Sequence, residues 1–429
     1  MARCDGCGGW TRADQPEASK CLACDGSITQ EAFKQCVSPA AYRTDFNPHR
    51  IGEGELHIVR SRIVCAEATD VRPIEMPGSN MAVSLERSAR IVRLNPGYDP
   101  EPLLSAGFAF ARGQQRAKPS PRVWLSLAHQ VLGDEFAGKL GSPGWTVDSA
   151  PLNAWLASRK TTDSLYLTPK AMNPLLDISR VAGEYERVSI RAAALTASFL
   201  LVDRAALELD VDPGEFDILP PRLYQPDGVR RPMLQIADTL VNGSGLSRRL
   251  AQPTAQPWAL DLLSSIVNDG GAWPLNEFIT PSHRASCDQA CYECLQRYGN
   301  RSYHGLLDWR LGLGFARALI DPGYAAGADG NFCAPELADW RQMADEALVR
   351  VARGASDIEV ITGSALPAVR LMRPGGNAVI AIHHPFWRIE GVISPLIKQM
   401  HALHPGPVRL IDSFELARRP FHAISRLSF

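Results

Sequence analysis

The 429-residue chain has no uninterrupted apolar run of about 18 residues, the length a membrane-crossing helix needs. Its opening stretch, MARCDGCGGW, lacks the apolar core of a secretory signal. A cytoplasmic protein with no membrane partner is expected. Neither sign of charge is in excess, with 45 Lys plus Arg against 46 Asp plus Glu and a net charge of −1. No field over the whole molecule would draw it onto nucleic acid, so any such binding must use a local patch. There is no internal repeat and no low-complexity tract. Hydrophobic residues at 45% and charged residues at 21% are globular values, and the length suffices for several cores.

Intact nucleotide-binding signatures are missing too. GDEFAGKL, residues 133–140, has the G-x4-G-K frame of a phosphate-binding loop, but Leu140 stands where a Mg-binding Ser or Thr is required. Asp134 and Glu135 would add negative charge to the cradle, and no Asp-Glu motor box follows. NGSG, residues 242–245, reads as a tight turn, because no G-x-G-x-x-G pattern extends it. His383 and His384 in IHHPFW would point to opposite faces of a strand with no carboxylate beside them. They suit core or partner packing better than general-base work. No catalytic residue is assigned, and the chain alone is expected not to be an enzyme.

What the chain has is ten cysteines, seven of them in two clusters. In a reducing compartment, such clusters point to metal rather than disulfides. Cys4 with Cys7 and Cys21 with Cys24 form two C-x2-C knuckles, each with a glycine within two residues of its second cysteine. Four soft thiolates suit one tetrahedral zinc, in a segment too short to hold much core without it. Cys287, Cys291 and Cys294 form a second cluster, one ligand short of a closed site. His283, four residues before Cys287, is assigned as the fourth ligand, with His304 and Cys333 as alternatives. A catalytic zinc with an open position would need a general base, and Glu293 between two ligands would turn outward. Two zinc ions are therefore expected. Cys36 and Cys65 read as core thiols.

The pattern of elements predicts an α+β chain in four parts: a zinc ribbon over 1–45, a β-rich domain over 46–180, a mixed zinc-binding domain over 181–336 and a small α/β layer over 337–429. MAVSLERSARIVRLN, SAGFAFARG and KTTDSLYLTP read as strands, and PRVWLSLAHQVL as either strand or helix. Residues 189–209 are the clearest helix, with Ile190, Ala193, Ala197, Leu200 and Leu201 on one face. Further helices are expected in QPWALDLLSSIVND, LLDWRLGLGFARALI and DWRQMADEALVRVAR, and short strands in IEVITG, NAVIAIHH and VRLIDS.

Just after the second cysteine cluster, QRYGNRSYH interleaves basic and aromatic residues, as phosphate contact and base stacking require. Arg297, Tyr298, Arg301, Tyr303 and His304 are the DNA-binding candidates, and bracing of the zinc loop is the competing reading of the same residues.

ACYECLQRYGNRSYHGLLDWRLGLGFARAL, with LQIADTLVNGSGLSRRL, RKTTDSLYL, SPAAYRTDF and AIHHPFW, resembles the helicase-associated zinc-binding domain at the C-terminal end of MrfA-type DNA helicases. It is more similar still to the stand-alone DrmB-like subunits of the DISARM anti-phage system. That family commonly has C-x-C-x3-C-x2-C, and Ala285 occupies the first of those positions here. The resemblance implies a non-catalytic subunit that pairs with a DNA helicase or translocase and contacts DNA, single- or double-stranded, in bacterial defence. The alternatives are a zinc- or histidine-dependent nuclease or hydrolase, and a helicase-independent DNA-binding regulator.

Overall fold

The computed structural model describes residues 1–12, 14, 19–38, 63–96, 103–115, 123–126, 145–147, 152–373, 376–404 and 406–425. It is a mixed α+β fold with several sheets. The chain divides into two compact units, one of residues 1–4, 9–70 and 88–162, the other of residues 5–8, 71–87 and 163–429.

The first unit is built on strands. Residues 91–94 of the strand Met81–Asn95 pair antiparallel with Ile63–Ala66, and the start of the strand Leu152–Pro169 pairs with Phe108–Gln115. The latter also pairs with Val123–Ser126, so the ambiguous stretch there is extended. Alternation turns Cys65, Val92, Leu94, Trp155 and Ala157 onto one another and onto Trp10. The Trp10 and Trp155 rings lie 6.4 Å apart. Cys65 is a core thiol, pushed up in pKa chiefly by its burial.

The second unit centres on the helix Val188–Leu209, which begins and ends within a residue of its expected span. Its burial is not confined to one face. Ala192, Leu195, Thr196 and Ser198 are buried along with the expected stripe, because alanine-rich turns let neighbours pack on several sides. The helix Trp309–Ile320 crosses it closely. A Cβ on Gly312 would come within 2.5 Å of the Thr196 methyl, so only glycine permits this approach. The strands Phe216–Tyr224 and Arg231–Asp238 pair antiparallel with each other, and the second pairs with residues 164–167. The first of these strands is hidden in the sequence by Pro220 and Pro221.

Residues after 337 form a four-stranded sheet of Ile358–Ile361, Ala368–Arg373, Gly376–His383 and Val408–Asp412, antiparallel except for its last pair. The helix Trp340–Arg353 buries Ala344, Ala347, Leu348 and Val351 against Val369, Leu371, Ile380 and Ile382. No helix among the described residues is long and apolar enough to cross a membrane.

Candidate metal centres

The first tetrad hangs on two turns. A short hairpin pairs Ala2 with Thr11 and Arg3 with Trp10, and Cys4 N–H donates to Gly9 O at 2.7 Å across its turn. A second turn, closed by a Lys20–Ser27 bridge, has Cys21 N–H donating to Gly26 O at 2.9 Å. Asp25 there adopts left-handed backbone, φ 55°. The glycine after it leaves room for sulfur: a Cβ on Gly26 would lie 3.2 Å from Cys24 Sγ and 3.4 Å from Cys4 Sγ. The Sγ atoms of Cys4, Cys7, Cys21 and Cys24 all fall within 4.8 Å of one another, Cys4 and Cys24 at 3.6 Å. Four thiolates about 2.3 Å from a tetrahedral zinc would be about 3.8 Å apart, so the set fits the ion.

The second tetrad consists of His283, Cys287, Cys291 and Cys294, again with ligand atoms within 4.8 Å. The helix Pro281–Ser286 carries the histidine, and its N-cap Thr280 accepts from His283 N–H. Cys291 and Cys294 lie on the turn that follows, at Sγ···Sγ 3.5 Å, with Cys287 Sγ 3.8 Å from Cys294 Sγ and His283 Nε2 4.0 Å from Cys291 Sγ. Of the three fourth-ligand options, geometry brings in His283. His304 Nε2 instead lies 3.0 Å from Arg297 O and from Asn300 Oδ1, and Cys333 is exposed on another loop. Hydrogen bonding from the Cys287 thiol, the largest influence, pushes Cys294 down to about 5, while the same bond drives Cys287 up.

Around this second set the chain is braced from all sides. The His283 ring stacks on Phe278 at 5.2 Å and tilts against Trp309 at 5.6 Å. Trp309 Nε1–H donates to Cys287 O at 3.2 Å, and Arg310 Nη1–H to Asp288 O at 2.8 Å. Arg310 is buried, grips Asp339 through Nε at 2.9 Å and stacks over Trp309 at 4.1 Å. Arg284 adds a second contact to Asp339 at 3.2 Å. Partial burial works against ionising Asp339, but the Arg310 hydrogen bond and charge overcome it and hold its pKa below the ordinary value.

The DNA-binding candidates divide by environment. Tyr298 is 80% exposed and Arg301 stacks over its ring at 4.8 Å, so these two face solvent as a pair. Arg297 reaches the buried Asp203 at 2.8 Å, and burial raises that carboxyl to about 7 against the opposing Arg297 charge. Tyr303 packs on Phe199 at 5.7 Å. Arg297 N–H donates to Asn300 Oδ1 at 2.8 Å, and Asn300 in turn holds Leu295 O. Exposed Tyr292, edge-on to His304, adds an aromatic that the sequence reading passed over.

The other motifs are tied into the fold. Ser244, Gly245 and Ser247 all donate backbone N–H to the Asp238 carboxylate at 2.8 Å, which fills the NGSG turn with the protein's own anion. His383 and His384 are buried, with Phe386 N–H donating to His384 Nδ1. Burial, aided by His383, pushes His384 down to about 3. GDEFAGKL and most of SPAAYRTDF lie outside the described residues.

No protein-family model matches the chain, and no curated protein matches it. A crystal structure of the DUF1998 helicase MrfA bound to DNA aligns at a TM-score of 0.29 and 8% identity, covering 60% of this chain and 25% of that one. The aligned part spans a quarter of the helicase.

Proposed function

We propose that this chain is a non-catalytic, zinc-stabilised accessory subunit that pairs with a DNA helicase or translocase and contacts DNA in bacterial anti-phage defence of the DISARM kind. The observation that carries the reading is the ligand count. Each tetrad offers four ligands, all thiols in the first and three thiols with an imidazole in the second, three of the four buried, which is the make-up of a structural zinc site. A catalytic zinc keeps one position for water or substrate. The motifs that resemble DrmB-like subunits supply the partner and setting. Tyr298 with Arg301 supplies a stacking face and a phosphate-seeking cation beside the second centre. The histidines that a hydrolase would need, His383 and His384, are both buried, which argues against that reading.

Co-expression with helicase genes encoded beside it, followed by pull-down and a DNA-stimulated ATPase assay, tests the reading. The expected result is a stable complex with turnover only when the helicase is present. ATP hydrolysis or DNA cleavage by the chain alone that survives repurification would contradict it. Loss of that turnover in Lys139→Ala would identify the glycine-lysine segment as its source.

A further inference from the structure

The sheet in the second unit has a polar face that neither metal centre uses. Register places Tyr166 opposite Gln235, and Gln235 opposite Leu219. Side chains alternate along a strand, so the residue three beyond Leu219 belongs on the other face. The strand Phe216–Tyr224 breaks this rule. Its pairing jumps from Leu219–Gln235 to Arg222–Met233, which leaves Pro220 and Pro221 together opposite Leu234, a β-bulge. Prolines suit that position because they have no N–H to give the ladder. The extra residue returns Arg222 to the face of Gln235 and Tyr166, and its guanidinium carbon sits 5.3 Å from the Tyr166 ring centroid.

Arg222 and Gln235 are each only 3% exposed. Arg222 Nε and Nη1 and Gln235 Nε2 have no hydrogen-bond acceptor among the described residues. The nearby carboxylate of Glu86 accepts from the Tyr166 hydroxyl at 2.5 Å. A guanidinium stays charged at any physiological pH, and a buried charge with unfilled donors is unfavourable without a counter-ion. We propose that Arg222 and Gln235 bind one oxyanion of the phosphate class, through a guanidinium N–H and an amide N–H. The Tyr166 ring supports the guanidinium, and the Pro220–Pro221 bulge aims it. A hydrogen bond from a charged guanidinium N–H to such an ion is roughly twice as strong as a neutral one.

Free phosphate and the phosphate of a nucleic-acid backbone share this chemistry. Thermal unfolding of the full zinc-loaded chain, in inorganic phosphate or with a single-stranded oligonucleotide, against chloride at equal ionic strength, separates them. Millimolar phosphate should raise the midpoint by roughly 1–3 °C in the wild type and in Tyr298→Ala. It should leave Gln235→Leu and Arg222→Met unmoved. Should Arg222→Met fail to fold, Gln235→Leu decides, with phosphorus NMR line-broadening as a second readout. A shift with the oligonucleotide alone that Gln235→Leu abolishes supports the site and assigns it to backbone phosphate. No shift beyond chloride from either, or a shift that Gln235→Leu retains, overturns the proposal and leaves water to meet these donors. Retention of the shift in Tyr298→Ala keeps this result separate from the DNA contact proposed above.

Discussion

At the N-terminal tetrad, four sulfurs hang on two turns whose regular structure amounts to a two-residue pair of strands and an isolated bridge. At the second tetrad, three sulfurs and an imidazole are embedded among helices, with Phe278, Trp309, Arg310 and Asp339 holding the loop from outside the ligand set. The contrast teaches where each site's order comes from. In the first, metal and turn geometry must form together. In the second, packing positions much of the site before any ion arrives, and the ion locks what the fold has gathered.

The largest effect that would break this comparison is metal removal. Cys21→Ser should lower zinc content from two ions to one, and residues 1–37 should become protease-sensitive, because zinc binding in small modules contributes on the order of 10 kcal/mol. His283→Ala should also cost one zinc but leave the helix Trp309–Ile320 protected from hydrogen exchange, while His304→Ala and Cys333→Ser keep both ions. Equal exchange protection around both centres after chelation would erase the distinction.

Next in size is the brace. Arg310→Met leaves the Asp288 carbonyl without its donor, the Cys287 carbonyl with Trp309 Nε1–H alone and Asp339 with Arg284 alone. A loss of about 3–5 kcal/mol in denaturant unfolding is expected. A loss under 1 kcal/mol would mean the zinc, not the brace, orders the loop.

A smaller effect appears as pH dependence. Burial raises Asp203 to about 7 when folded, so its contribution to stability is full below its unfolded pKa, about 4. That contribution is lost as pH rises towards 7. Asp339 has the opposite sign: its depressed pKa gives stability that is present near neutrality and lost on acidification. Comparing Asp203→Asn with wild type across pH 4–7 should therefore show the variant gaining relative stability as pH rises. A flat difference would show that the Arg297 pair keeps Asp203 ionised throughout.

The smallest stability effect is expected at the surface. Tyr298→Ala with Arg301→Ala should change stability by no more than about 0.5 kcal/mol. It should weaken DNA binding and flatten its salt dependence by roughly one unit of slope. Unchanged DNA affinity would remove this pair from the contact surface.

Much of this was legible in the chain itself. C-x2-C spacing announces metal knuckles because two thiols so placed on a turn share one ion, and helix 188–209 is visible through its apolar periodicity. His283 stood out because it lies within one helical turn of Cys287. Other features depend on contacts far apart in sequence. Asp203 and Arg297 meet across helices, and Arg310 and Asp339 across an intervening loop, so no local pattern announces either pair. The strand with Pro220 and Pro221 was missed because proline argues against a regular ladder, and only the bulge reconciles the two. The NGSG turn reads as a turn from its glycines, but Asp238 as its anion emerges only in three dimensions.

The central claim is that both centres are closed structural zinc sites of different ligand make-up. Zinc-edge X-ray absorption on Cys21→Ser and on His283→Ala, each expected to retain one ion, tests it most directly. The account predicts an all-sulfur shell in His283→Ala, and three sulfurs with one nitrogen in Cys21→Ser, neither with a water oxygen. An oxygen ligand at either retained centre, or iron in place of zinc, would contradict it.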